Sequence, residues 1–241
     1  MTEDEISMPR TQARNVRLGP RDHDIFEHVR RYRLTTREVL HRLFFPEVKP
    51  NAVTKVTSRL CDGGFLRRFD LYESRDYFVL GPEAARILGV PQKRTEELGV
   101  QARPIEYATL LFCTGAGDRE RLTLDELKAH HPSILVPGVD ASHYYLDRDG
   151  GKTRLAYIRV DCGGPPDHVA RKCRDDLDRR LEHDAFKDLI ANDQFMIAIL
   201  TGREEKASTI HETLKRHPWP NRFRLSVIPE LVHLVTRLER G

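Results

Sequence analysis

Three short helix patterns, a double glycine and two basic strand patterns follow one another between Leu18 and Val90, and this order constrains the fold most. A first helix is expected after Gly19-Pro20, because proline is tolerated at a helix start. In RDHDIFEHVRRYRL, Ile25, Phe26, Val29 and Tyr32 form a one-sided apolar stripe. Thr35 or Thr36 can cap a second helix bearing Val39, Leu40, Leu43 and Phe44, which Pro46 ends. A third helix is expected from Asn51, with Val53, Val56 and Leu60 toward a core. That leaves Asn51, Thr54, Lys55, Ser58 and Arg59 on its other face, none of them acidic. Gly63-Gly64 stops the helix, since glycine enters left-handed backbone at little cost. FLRRFD and RDYFVL then read as two strands around a turn at Tyr72–Ser74, with Arg67, Arg68 and Arg75 on or beside the hairpin. GPEAARILGV reads as a closing helix.

The charge distribution marks the same stretch. The chain carries a net +3, but residues 10–94 hold 18 Lys/Arg against 10 Asp/Glu, and the remainder holds 22 against 27. A localised positive field is what phosphate neutralisation requires. Helix, turn, helix and basic hairpin together suit a winged helix-turn-helix over residues 18–90. There the third helix offers donors to phosphates and base edges, and the hairpin touches phosphates. Double-stranded DNA is the expected partner.

Residues 1–17 carry mixed charge and read as a flexible arm, and the polar stretch 91–103 reads as a linker. From residue 104 to 241 the pattern changes. Helices are expected over Pro104–Thr114 and Thr123–His130, followed by the strand-like ILVPGVDASHYYL, a turn at DRDGG and the strand TRLAYIRVDC. HVARKCRDDLDRRLEHDAFKDLI reads as one helix, with Asp175, Asp176 and Asp178 and Arg174, Arg179 and Arg180 as a charged face. FMIAILTG has the composition of a buried central strand. KASTIHETLKRH, FRLSVIP and ELVHLVTRLER complete a helix, strand, helix ending. The fold class expected is α+β, with a mixed sheet flanked by helices in the C-terminal part.

The segments PRDHDIFEHVRRYRLTT, LFFP, SRLCDGGFLRR and YFVLGPEAARIL resemble the N-terminal domain of the replication-relaxation family, found with plasmids and other mobile elements in bacteria. A weaker likeness runs from Ile134 to about Leu238. The resemblance implies a C-terminal restriction-endonuclease-like α/β domain, in which close carboxylates bind a divalent metal and a lysine polarises the phosphate or the attacking water. Carried over, Asp140 matches the aspartate of a Pro-Asp-Ala element, Asp161 the second acid of a Glu-x-Asp pair, and Lys172 the lysine on the following helix. Two departures degrade that site. Arg159 replaces the glutamate of the pair, and the Pro-Asp step is broken as Pro137-Gly138-Val139-Asp140. The structural alternative pairs Asp140 and Asp161 with Arg159 or Lys172, or leaves them solvated.

Other chemistries find little support. Cys162, His168 and Cys173 lack a CxxC element and a fourth ligand, so they read as unligated. No GxxxxGK[ST] or G-x-S-x-G motif occurs, and CTGAGD lacks the lysine of a phosphate loop. No run of 18 apolar residues is present, the N-terminal stretch lacks an apolar leader, and four scattered cysteines suit a reducing compartment, so a cytoplasmic location away from membranes is expected. The leading expectation is a DNA-binding protein of a mobile element, homodimeric, with a catalytically silent nuclease-like domain and no cofactor. A Mg²⁺-dependent endonuclease and a protein-assembly adaptor are the alternatives.

Overall fold

A computed structural model describes residues 17–238. The expected arm, residues 1–17, lies outside the described residues except for Arg17, and residues 239–241 lie outside them as well. Helix α1 (Pro20–Tyr32) starts with proline in its first turn, and Asp22 Oδ2 accepts from Gly19 N at 2.9 Å. Helix α2 (Arg37–Phe44) is capped by Thr36, whose hydroxyl accepts from Val39 N. Helix α3 (Pro50–Asp62) begins one residue earlier than expected, so Asn51 lies inside it and Lys49 takes the cap position. Pro50 supplies the fixed φ that suits a first helical residue.

Strands β1 (Leu66–Tyr72) and β2 (Arg75–Leu80) form an antiparallel hairpin, irregular between Asp70 and Tyr72. Thr35 adds a short bridge to Phe78, with both backbone bonds made, at 2.9 and 2.8 Å. The helix-to-hairpin corner depends on glycine twice. Gly64 sits at φ +72°, and a Cβ on Gly81 would collide with the Gly64 carbonyl. Helix α4 (Pro82–Leu88) closes this part.

The rest is a five-stranded mixed sheet of β3 (Arg119–Arg121), β4 (Tyr144–Asp147), β5 (Arg154–Val160), β6 (Phe195–Thr201) and β7 (Arg222–Val227), in that order. The first three pair antiparallel, and β5, β6 and β7 run parallel. Helices α5 (Ala102–Thr114) and α10 (Leu231–Leu238) cover one face. Helices α7 (Pro166–Leu181), α8 (Asp184–Ala191) and α9 (Glu204–Lys215) cover the other. Along β6 the side chains alternate between the two cores: Phe195, Ile197 and Ile199 on one, Met196, Ala198 and Leu200 on the other. Burial on both faces explains why this strand reads as an unbroken apolar run. The molecule is α+β, as the element order predicts.

Several local expectations change. The long expected helix breaks at Glu182–His183 into α7 and α8. The stretch before β4 is not strand: helix α6 (Leu124–His130) is followed by a short 3₁₀ turn at Pro132–Ile134, and β4 starts only at Tyr144. Strand β3 was not legible, because three residues, Arg119-Glu120-Arg121, show no period. The charged face of α7 is also divided. Asp175, Asp178 and Arg179 stay exposed, whereas Asp176 and Arg180 turn inward. Asp176 pairs with Arg159. Arg180, only 2% exposed, donates to the Tyr144 hydroxyl at 3.0 Å and lies 4.1 Å from the Tyr157 ring centroid, within cation–π range.

The two parts share a core. Leu71, Tyr72, Tyr77 and Val79 from the hairpin pack with Tyr107, Ala108 and Leu110 of α5 and with Leu231 and Leu234 of α10. Phe78 and Leu80 face the opposite way, into the core of α1 and α3. The hairpin is therefore a wall between two cores. The stretch read as a linker joins in: Leu98 is buried in the shared core, and its backbone N–H donates to the Tyr77 hydroxyl at 2.9 Å. A buried ion pair completes the joint, with Arg121 2.5 Å from Glu106 and donating to the Tyr32 carbonyl at 3.2 Å.

Candidate nucleic-acid interface

Helix α3 buries Val53, Thr57 and Leu60 against α1 and the hairpin base. Its outward side carries Asn51, Thr54, Lys55 and Ser58, all exposed. Spacings of three and four residues place them in one stripe along the helix. None of these four side chains has a hydrogen-bond or ion-pair partner among the described residues. Lys49, also exposed, stands at the start of the same helix. The stripe thus combines an amide, two hydroxyls and two ammonium groups whose donors face solvent.

Arg59, expected on the same face, is turned toward α1. Its guanidinium lies 2.6 Å from Asp22 Oδ1 and donates to the Arg17 carbonyl at 3.1 Å. Asp22 is buried and also holds the start of α1, so Arg59 locks α3 onto α1. Nothing in the local pattern marks Asp22 as its partner, because the pair spans 37 residues.

The hairpin separates its three arginines. Arg68 pairs across the ladder with Phe78, on the face toward the α1–α3 core, and approaches Asp76, which Arg37 already holds at 3.0 Å. Arg67 sits opposite Val79 on the other face and donates to the Thr95 carbonyl at 3.2 Å. Arg75 lies over the Tyr72 ring at 5.5 Å. The Tyr72 hydroxyl, then Glu38 and Glu230, push its guanidinium value upward. Of the three, Arg68 alone shares the side of the hairpin that faces α3.

Asp140, Asp161 and Lys172 are not joined by any contact among the described residues. Asp140 accepts from Ser142 N at 2.9 Å, from His143 Nδ1 at 3.2 Å and from the Tyr157 hydroxyl at 3.2 Å. The His143 hydrogen bond holds its carboxyl well below the usual range. Asp161, 5% exposed at the end of β5, meets Lys206 Nζ at 2.7 Å and accepts from Thr201 Oγ1 and Gly163 N. Lys172 is exposed on α7. The lysine that faces Asp161 is thus Lys206 on α9, while Arg159 is taken by Asp176. Neither Arg159 nor Lys172 serves as a partner to the two aspartates. Sequence reasoning had no cue for Lys206, which approaches only because β5 and β6 run parallel and place Asp161 beside the start of α9.

Among the described residues no group of three His, Cys, Asp or Glu side chains gathers as a metal site. Cys173 is buried, His168 lies beside Arg171 at 2.7 Å, and burial pushes the Cys162 thiol up to about 11. No helix among the described residues is long and apolar enough to cross a membrane. Comparison with protein-family models, curated proteins and solved structures found no match.

Proposed function

We propose that the chain binds double-stranded DNA, with residues 18–90 acting as a winged helix-turn-helix and α3 entering the major groove. The observation that carries this reading is the α3 stripe, where Asn51, Thr54, Lys55 and Ser58 are exposed together. Asparagine and lysine at such positions contact adenine and guanine edges, and hydroxyls accept either role. Lys49 and Lys55 supply phosphate contacts, and Arg68 adds one from the hairpin. In this reading Arg67 and Arg75 belong to the joint between the two parts. The C-terminal sheet serves dimerisation or partner contact, since Asp161 and Asp140 already accept protein donors. The resemblance to the replication-relaxation family supports placing this DNA binding in replication, transfer or gene control of a mobile element.

The test is a fluorescence-anisotropy titration with duplex DNA from the gene's own upstream region and with a scrambled duplex. It is run across a salt series, with and without Mn²⁺, and the products are resolved on a denaturing gel. The reading predicts tighter binding to the native duplex, affinity that falls with salt, and intact DNA. Metal-dependent cutting would make the chain a nuclease, and binding to neither duplex would leave it an adaptor.

A further inference from the structure

A cleft of about 470 Å³ opens where α1 meets the mixed sheet. Arg30, Arg31, Arg33, Arg94 and Arg121 line it, and Glu106 is the single carboxylate among its lining residues. Arg30 and Arg31 are balanced from outside the cleft, Arg30 by Glu27 at 2.7 Å and Arg31 by Glu126 at 2.6 Å. That leaves three guanidiniums to share Glu106. Arg121 takes it at 2.5 Å and directs further donors to the Tyr32 and Ser142 carbonyls. Arg33 stands 3.9 Å from the other carboxylate oxygen. The Arg94 backbone N–H donates to the Pro91 carbonyl at 2.9 Å, but its guanidinium has no hydrogen bond or ion pair among the described residues, although the residue is half-buried. Its guanidinium value is lowered first by burial, then by Arg33. Arg33 also sits at φ +68°, a backbone conformation unfavourable for arginine, at the end of α1.

We propose that this cleft binds a phosphate-bearing anion, with Arg33 and Arg94 as the gripping residues and Arg121 as the fixed wall. Two surplus guanidinium forks match the paired oxygens of a phosphoryl group, which a lysine pair would meet only as point charges. The volume falls in the range of small-molecule sites, about 300–1,000 Å³. Ile105, Leu122 and Leu124 line the remainder, which suits a phosphate carried on an organic group. A nucleotide-like molecule and a nucleic-acid backbone both present this chemistry. The inference does not depend on what α3 binds.

The test uses the full chain at low salt, titrated calorimetrically with inorganic pyrophosphate and with adenosine monophosphate. Arg33→Gln and Arg94→Gln are compared with Arg216→Gln, an exposed arginine away from the cleft, and the midpoint of thermal unfolding verifies that each variant is folded. Should Arg33→Gln fail to fold, Arg33→Lys keeps the charge and removes the fork. Saturable binding is expected, weakened at least tenfold in the two cleft variants and unchanged in Arg216→Gln. A parallel titration with labelled duplex assigns the source. A backbone phosphate is the ligand if Arg94→Gln weakens the duplex and pyrophosphate competes with it. A free anion is the ligand if the small probes bind without affecting the duplex. The proposal is overturned if neither the probes nor the duplex responds to the cleft substitutions.

Discussion

The stripe on α3 and the carboxylate at the end of β5 hold their polar groups in opposite states. On α3 an amide, two hydroxyls and an ammonium face solvent together. At Asp161 every prominent polar neighbour points inward, with Lys206, Thr201 and Gly163 N on the carboxylate. A buried charge must be compensated by its own fold, whereas a surface that meets a ligand keeps its donors available. Charge alone does not separate the two, since Arg59 and Lys55 lie four residues apart on one helix and only Lys55 lacks a partner among the described residues. The difference is burial of the counter-ion: Asp22, which takes Arg59, is buried.

The comparison breaks most visibly at the most buried pair. Arg121→Met leaves Glu106 buried without its nearest cation, and an uncompensated buried charge costs about 3–5 kcal/mol. The midpoint of urea unfolding should fall accordingly, and the double variant Arg121→Met with Glu106→Gln should recover much of the loss. A change under about 1 kcal/mol would mean that this joint does not hold the two parts together.

Protonation probes the same contrast from within the N-terminal part. His28 is buried, with Nε2 3.1 Å from Thr35 Oγ1, and burial followed by Arg31 and Arg42 lowers its value to about 4. The unfolded imidazole titrates near about 6.5, so at intermediate pH the unfolded state binds the extra proton. Stability is then complete above about pH 6.5 and declines as pH falls toward about 4, by roughly 3 kcal/mol. Unfolding midpoints measured between these pH values should show the slope, and His28→Gln should flatten it. An unchanged slope in that variant would assign the titration to another group.

At the end of β5 the expected effect is smaller. Asp161→Asn removes the charge that faces Lys206, but Lys206 reaches solvent, so the loss should be about 2 kcal/mol. Duplex affinity should be unchanged. If unfolding is unaffected and DNA binding falls, Asp161 belongs to the functional surface and the contrast drawn above is inverted.

Periodicity made the helices legible because Ile25, Phe26 and Val29, or Val53 and Leu60, repeat at the spacing that one buried face demands. The start of α2 was readable only as Thr35 or Thr36, and that of α6 as Thr123; in the structure Thr36 and Thr123 take the cap positions, each accepting a backbone N–H of the first turn. What escaped was long-range. Arg121 and Glu106 look like surface residues until the sheet folds against α5. Arg180 reads as part of a solvated face, and only the surrounding Tyr144, Tyr157, Phe186 and Phe195 make its burial tolerable. The hairpin looked like a free basic ribbon because alternation reveals one buried face. Tyr77 and Phe78 are adjacent and both buried, each in a different core, which no single-face pattern encodes.

The most direct test of the central claim is the salt dependence of duplex affinity for Lys55→Ala against the unmodified chain, with Asp161→Asn as the control. The account predicts that Lys55→Ala loses roughly tenfold in affinity and about 0.9 in the slope of log affinity against log salt, while Asp161→Asn binds as before. Equal affinity and equal slope for Lys55→Ala at every salt concentration would contradict it, and α3 would then not be the surface that meets DNA.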